Sequence, residues 1–173
     1  LAEAGLIDVD ENGNLVDWKA YCNSTSLSCQ VVMKNPADEK TRAVLEKVLY
    51  GLRNDLSSGV ESVFTKEECE REYHLAGDFE YVLEGRERTS FGNAWTGAKM
   101  VTPDNSDYKF SVASHGHLPH KGPQPVFIMA GPDVREGVVF ERKRIIEEAP
   151  TFAAMLHFDM PQATGHAISE ILK

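Results

Sequence analysis

One stretch of the chain limits its architecture more than any other. Val44, Leu45, Val48, Leu49, Leu52 and Leu56 follow one another at spacings of three and four, the interval that lines one face of an α-helix. Asn35-Pro36 stands ahead of them and Ser58-Gly59 behind. Asn is a preferred helix cap and Pro suits the first helical position. Asp38 and Glu39 fall in the first turn, where the helix dipole favours negative charge. The spacing predicts a helix opening at Asn35-Pro36, burying Val48, Leu49 and Leu52 and stopping at Ser58-Gly59. A helix with one apolar stripe must bury it against a second layer.

The flanking segments supply that layer. Residues 1–7 read as the tail of a helix stopping at Gly5, and residues 10–14 as a turn around Asn12-Gly13. Residues 15–18 and 30–34 read as short strands, and residues 60–64 as another. Thr65 and Glu68 have the spacing of a capping box, which opens a short helix through about Tyr73. Phe79, Tyr81 and Leu83 alternate with Glu80 and Val82, the pattern of a last strand over residues 79–84. Residues 10–84 therefore read ββαβαβ, a small α+β layer with one helix-covered mixed sheet.

Residues 85–125 are different. Gly85, Gly92, Gly97, Pro103, Gly116, Pro119, Gly122, Pro123 and Pro125 interrupt them, and no period runs through. A loop stretch that long inside a compact domain is functional or disordered. The wholly apolar run at residues 126–130 reads as a buried strand, the kind found in parallel sheets. Pro150 opens a helix carrying Phe152, Met155 and Leu156, and Gly165 precedes a short helix ending at Leu172. A chain of 173 residues with 42% hydrophobic and 26% charged content has the composition of a globular domain rather than of a disordered or fibrous chain.

Charge narrows the partners. The net charge is −9, so a nucleic-acid backbone is repelled by most of the surface and nucleic-acid polymers are not expected partners. Residues 61–90 carry more than half of that excess, the ordinary composition of a solvated acidic face. Cys22, Cys29 and Cys69 are too few for a disulfide framework and lack metal-knot spacing; a reduced compartment, with the cytoplasm favoured over others but the location left open, is the expectation. No apolar run approaches the roughly 20 residues of a membrane span.

Three of the six histidines fall within Ser114-His115-Gly116-His117-Leu118-Pro119-His120. If that segment is extended, His115 and His117 point the same way, because side chains repeat every two residues. Neutral imidazole suits zinc and similar ions, and Gly116 lets the backbone approach an ion or a substrate. Solvated histidines on a polar loop are the alternative. Lys121 stands beside them, in a position to approach a substrate phosphate, though surface lysines are common. Trp18 and Trp95 read as packing residues, His74 as a helix-end residue, His157 and His166 as solvent-facing. Asp104, Asn105 and Asp107 suit a turn.

Residues 113–120, followed by Pro125-Val126-Phe127-Ile128-Met129-Ala130-Gly131-Pro132 and Gly137, resemble the C-terminal catalytic core of the alkaline phosphatase superfamily, and within it the type I phosphodiesterases and nucleotide pyrophosphatases. Residues 146–151, Leu156-His157-Phe158-Asp159-Met160-Pro161 with Gly165, and the opening residues 1–7 are similar to other segments of that core. The resemblance implies an α/β catalytic core, with residues 1–9 ending a core helix, residues 10–95 forming a cap-like α+β insertion, and residues 96–173 returning to the core. It implies two divalent ions, usually zinc, that clamp the attacking and leaving oxygens of a phosphoester displacement, and a small phosphoester substrate. His115 matches the family's late histidine ligand. His117 stands where many relatives have another residue, and His120 has no assigned counterpart; both are candidate secondary ligands or substrate-side groups. The nucleophile and the remaining ligands would precede Leu1, so the isolated chain is expected to be inactive. The run at residues 126–130 would then lie on a sheet edge open to self-association. Without the resemblance, the residues also fit a non-enzymatic α+β binding or assembly module with an incidental histidine loop.

Overall fold

The computed structural model describes residues 1–97, 100, 101 and 115–173. Pro103, Asp104, Asn105, Asp107, Ala113 and Ser114, which figure in the reading above, lie outside the described residues. The described chain is a mixed α+β protein with small sheets and three α-helices. It divides into two compact units, residues 1–123 and 124–173.

The first unit opens on a 3-10 turn, Ala2–Ala4, closed by Gly5 in the left-handed region at φ 68°. Strands β1 (Ile7–Val9) and β2 (Leu15–Trp18) form an antiparallel ribbon. Asp10 holds the turn between them by accepting from the amides of Asn12 and Asn14 at 2.9 and 2.8 Å. Four further strands make the main sheet: β3 (Ala20–Ser24), β4 (Ser28–Met33), β5 (Val60–Thr65) and β6 (Tyr81–Gly85), in the order β3-β4-β6-β5. Every pairing is antiparallel, which corrects the mixed sheet expected from the sequence. The correction has a simple cause. β4 and β5 run parallel, joined through a helix, but β6 inserts between them and pairs both.

Helix α1 (Glu39–Asn54) is capped by Asp38, whose carboxylate accepts from the Lys40 and Thr41 amides and from the Thr41 hydroxyl at 2.7 Å. The cap is thus three residues past Asn35, which spends its own side chain on the Ala37 amide. The helix ends at Asn54, a 3-10 turn spans Leu56–Ser58, and Gly59 turns the chain at φ 78°. Leu45 and Leu49 are fully buried; Val48 and Leu52 are half-buried, while Val44 and Leu56 face water. The inward stripe is narrower than the sequence pattern because only one line of the helix meets the sheet.

Alternation along the strands separates two cores. Cys29, Val31, Met33, Tyr81 and Leu83 join Leu45 and Leu49 on the α1 face. Val82 points the other way, toward Cys69 of helix α2 (Lys66–Tyr73) and Phe79. The register shifts between Val60 and Ser62. That irregularity lets Val60 and Val63, three apart, share the α1 core. α2 begins with the expected capping box: Thr65 accepts from the Glu68 amide and Glu68 accepts from the Thr65 amide. Because a helix covers each face, all five residues of β6 are buried.

The second unit contains a 3-10 turn, Ile145–Glu147, helix α3 (Glu148–Met155) and a final turn, Ser169–Ile171. Thr151 ties these together by donating to the Glu147 carbonyl at 2.6 Å and accepting from the Ile168 amide at 2.9 Å. Gly165 is required by space: a Cβ there would collide with the Ile146 carbonyl oxygen. The run at residues 126–130 is not a buried strand. Val126 and Ile128 are 85% and 88% exposed, and the described residues of this unit hold only one isolated bridge, Val134 to Leu172. Among the described residues of this unit no neighbouring strand takes up its backbone groups, so hydrophobicity alone does not make it a strand.

Candidate functional site

The histidine loop lies against the face of the main sheet opposite α1. β6 sets this up. Val82 and Glu84 share a face by strand alternation, and Glu84 carries a carboxylate into the protein with a side chain only 3% exposed. A buried carboxylate needs donors, and the loop supplies them. The Leu118 amide donates to Glu84 at 3.0 Å. The Lys121 ammonium stands 3.2 Å from Glu84 and 2.5 Å from Glu61, and donates to the Gly85 carbonyl at 2.9 Å. Burial works against the Lys121 charge, but the two carboxylates outweigh it and hold the ammonium above its usual range.

A second anchor sits at the hairpin between β3 and β4. The Leu27 amide donates to the His115 carbonyl at 3.3 Å. Gly116 adopts φ 92°, and a Cβ at that position would fall 2.6 Å from the Thr25 carbonyl oxygen. The loop can lie this close to the hairpin only with glycine there. The left-handed turn at Gly116 also breaks the extended geometry that would have aligned His115 with His117.

The three histidines therefore differ. His115 is exposed on an anchored backbone. His117 is half-buried, with Nδ1 2.9 Å from the Leu118 carbonyl oxygen. A carbonyl only accepts, so Nδ1 is the donor in this contact. Nε2 faces Gly122, where a Cβ would approach to 3.2 Å. His120 is exposed in the turn at residues 119–120. Lys121, a candidate for a substrate phosphate, is engaged by two carboxylates and a carbonyl.

Among the described residues the donors fall short of a metal centre. Among the described residues, no three His, Cys, Asp or Glu side chains gather into a group able to hold an ion. A zinc ion takes about four ligands, and this loop offers the exposed residues His115 and, at the turn, His120. The described residues do not compose a two-metal site by themselves. Glu84 and Glu61, which hold the loop, were not singled out from the sequence. The available signal was a carboxylate at an inward position of an otherwise apolar strand.

Comparisons with family models, curated proteins and solved structures find no match to this chain. No helix among the described residues is long and apolar enough to cross a membrane.

Proposed function

We propose that this chain is the C-terminal part of a metal-dependent phosphoester hydrolase of the alkaline phosphatase type, inactive alone, in which His115 contributes one ligand to a centre completed by residues before Leu1. The observation that carries the reading is the anchored presentation of His115. Its backbone is fixed to the β3–β4 hairpin, the following residues are fixed to Glu84, and the residue is exposed. A ligand shared with another part of a protein needs that combination of rigidity and access. The order of motifs around it, a histidine loop, an apolar run and a Gly-Pro turn, supports the same assignment. The run at residues 126–130 is exposed, in keeping with a strand that pairs with a core sheet supplied elsewhere, or with a second copy.

The direct test compares this chain with a longer polypeptide that carries the preceding sequence. The isolated chain is expected to show no turnover of bis(p-nitrophenyl) phosphate with excess zinc or manganese. The longer polypeptide is expected to hold metal and hydrolyse the ester, and His115→Ala to lower both. Turnover by the purified isolated chain, or full metal occupancy in the His115→Ala polypeptide, overturns the assignment.

The second reading, a non-enzymatic binding module, is favoured by one observation: the first unit holds an apolar cavity of about 510 Å³ on the α1 face of the sheet. A longer polypeptide that binds no metal and hydrolyses no ester would decide for it.

A further inference from the structure

The cavity carries chemistry that the histidine loop does not. Cys22 pairs across the hairpin with Val31, and Cys29 pairs with Ser24. Cys29 and Val31 both face α1. Directly opposed residues of an antiparallel pair share a face, so Cys22 and Cys29 are diagonal neighbours on it. The two side chains are close enough for each to act on the other's thiol. The Cys29 side chain holds the Cys22 thiol below its usual range, against burial. The Cys22 side chain, with burial, pushes the Cys29 thiol up. Cys29 Sγ also lies 3.6 Å from the Gln30 carbonyl oxygen, an alternative acceptor for its proton. Both cysteines line the cavity, together with Val48, Leu52, Phe91 and Trp95. Its volume falls within the roughly 300–1,000 Å³ of small-molecule sites. Cys69, on α2, packs against the opposite face, where burial raises its thiol pKa.

The spacing favours a bridge over a direct bond. Diagonal cross-strand neighbours stand about 7–8 Å apart at Cα, wider than the roughly 4.4–6.8 Å that a disulfide spans. One atom bonded to both sulfurs at about 2.3 Å covers a sulfur–sulfur gap of about 3.8 Å at a tetrahedral angle.

We propose that Cys22 and Cys29 form a two-thiol capture site for a soft, thiophilic trivalent metalloid whose apolar aryl substituent occupies the cavity. The reaction with an arylarsine oxide balances without an oxidant or reductant. The two sulfurs replace the oxo group on arsenic, two As–S bonds form, and the two thiol protons leave with the oxygen as one water molecule. The site is on the other face of the sheet from His115 and does not depend on the hydrolase reading.

Phenylarsine oxide on the full chain is the probe. Mass spectrometry is expected to show one adduct per chain, heavier by the reagent less one water. It should survive a monothiol such as mercaptoethanol and be removed by a dithiol such as 2,3-dimercaptopropanol. Cys22→Ser and Cys29→Ala are each expected to abolish that resistance, and Cys69→Ala to leave it intact. The phenyl reagent should bind at least tenfold more tightly than the methyl analogue. Should a cysteine variant fail to fold, alkylation of Cys22 in the folded wild-type chain must block uptake. A resistant adduct that persists without Cys22, an adduct mapped to Cys69, a Cys22–Cys29 disulfide formed in place of the adduct, or equal affinity for phenyl and methyl reagents overturns the proposal.

Discussion

Replacing Leu45 and Leu49 with alanine, one at a time, tests how α1 is held. Both side chains are fully buried in the core shared with Cys29, Val31 and Leu83. Shortening leucine to alanine removes three carbons, a transfer loss of about 2 kcal/mol at roughly 0.8 kcal/mol per methylene-sized group. A void that cannot collapse adds about another 2 kcal/mol. The two positions should separate on the second term. Leu45 has no part in the cavity wall, whereas Leu49 lines it and already lacks neighbours on one side. Leu45→Ala is expected to cost about 4 kcal/mol and Leu49→Ala about 2–3 kcal/mol, while Val44→Ala on the exposed face stays within about 0.5 kcal/mol. Trp18 and Trp95 both lie in the first unit, so tryptophan fluorescence in urea reads that unit alone. An unchanged midpoint for Leu49→Ala would refute the placement of α1. Equal losses at the two leucines would refute the role given to the cavity.

Two further outcomes follow from charged and polar groups. Burial, then the hydrogen bond to Glu46, pushes the Tyr81 phenol up to about 12, with Arg42 pulling the other way; a raised acid favours the folded state below its unfolded value near 10, so stability should fall between about pH 10 and 12, and ultraviolet titration should lose its latest tyrosine step in Tyr81→Phe. Lys121→Met leaves the Glu84 carboxylate buried without its cation and is expected to cost about 3 kcal/mol; adding Glu84→Gln should recover much of this, and a urea midpoint unmoved by Lys121→Met would show that the loop does not rely on the pair.

Elements whose signals are local were legible in the sequence. β2 falls on residues 15–18 and α2 runs from its Thr65–Glu68 box to Tyr73, because strand alternation and capping are settled within a few residues. The α1 stripe was legible as a helix, but Asp38 displaced Asn35 as its cap, since an aspartate that bonds both Lys40 and Thr41 outcompetes an asparagine turned to Ala37. β1 and β3 were missed. Each is defined by a partner across a turn rather than by its own pattern: Ala20–Ser24 is marked only by pairing with Ser28–Met33. The opposite error occurred at residues 126–130, where an apolar run with no partner strand among the described residues of its unit stays exposed. At the site, the histidine cluster was conspicuous. Its anchoring was not, because the contacts of Leu118 and Lys121 with Glu84 span more than 30 positions of sequence.

The place of β6 between β4 and β5 also imposes an order on assembly. The β3–β4 hairpin needs only the residues up to Met33. α1 and β5 follow it on the growing chain, yet neither β4 nor β5 can complete its ladder until Tyr81–Gly85 has left the ribosome. Until then, two strand edges meant for the same late segment face each other across an open slot, while α1 has only part of its sheet to lie on. A chain truncated after Asp78 should therefore keep α-helical signal but bind a hydrophobic dye and associate through those edges; a monomeric truncation with the full chain's fluorescence would show that the slot closes without its central strand. During synthesis, the hazard is a strand from another chain filling the gap first. The interval is set by the 52 residues from Met33 to Gly85, about 3–10 seconds at roughly 5–20 residues per second.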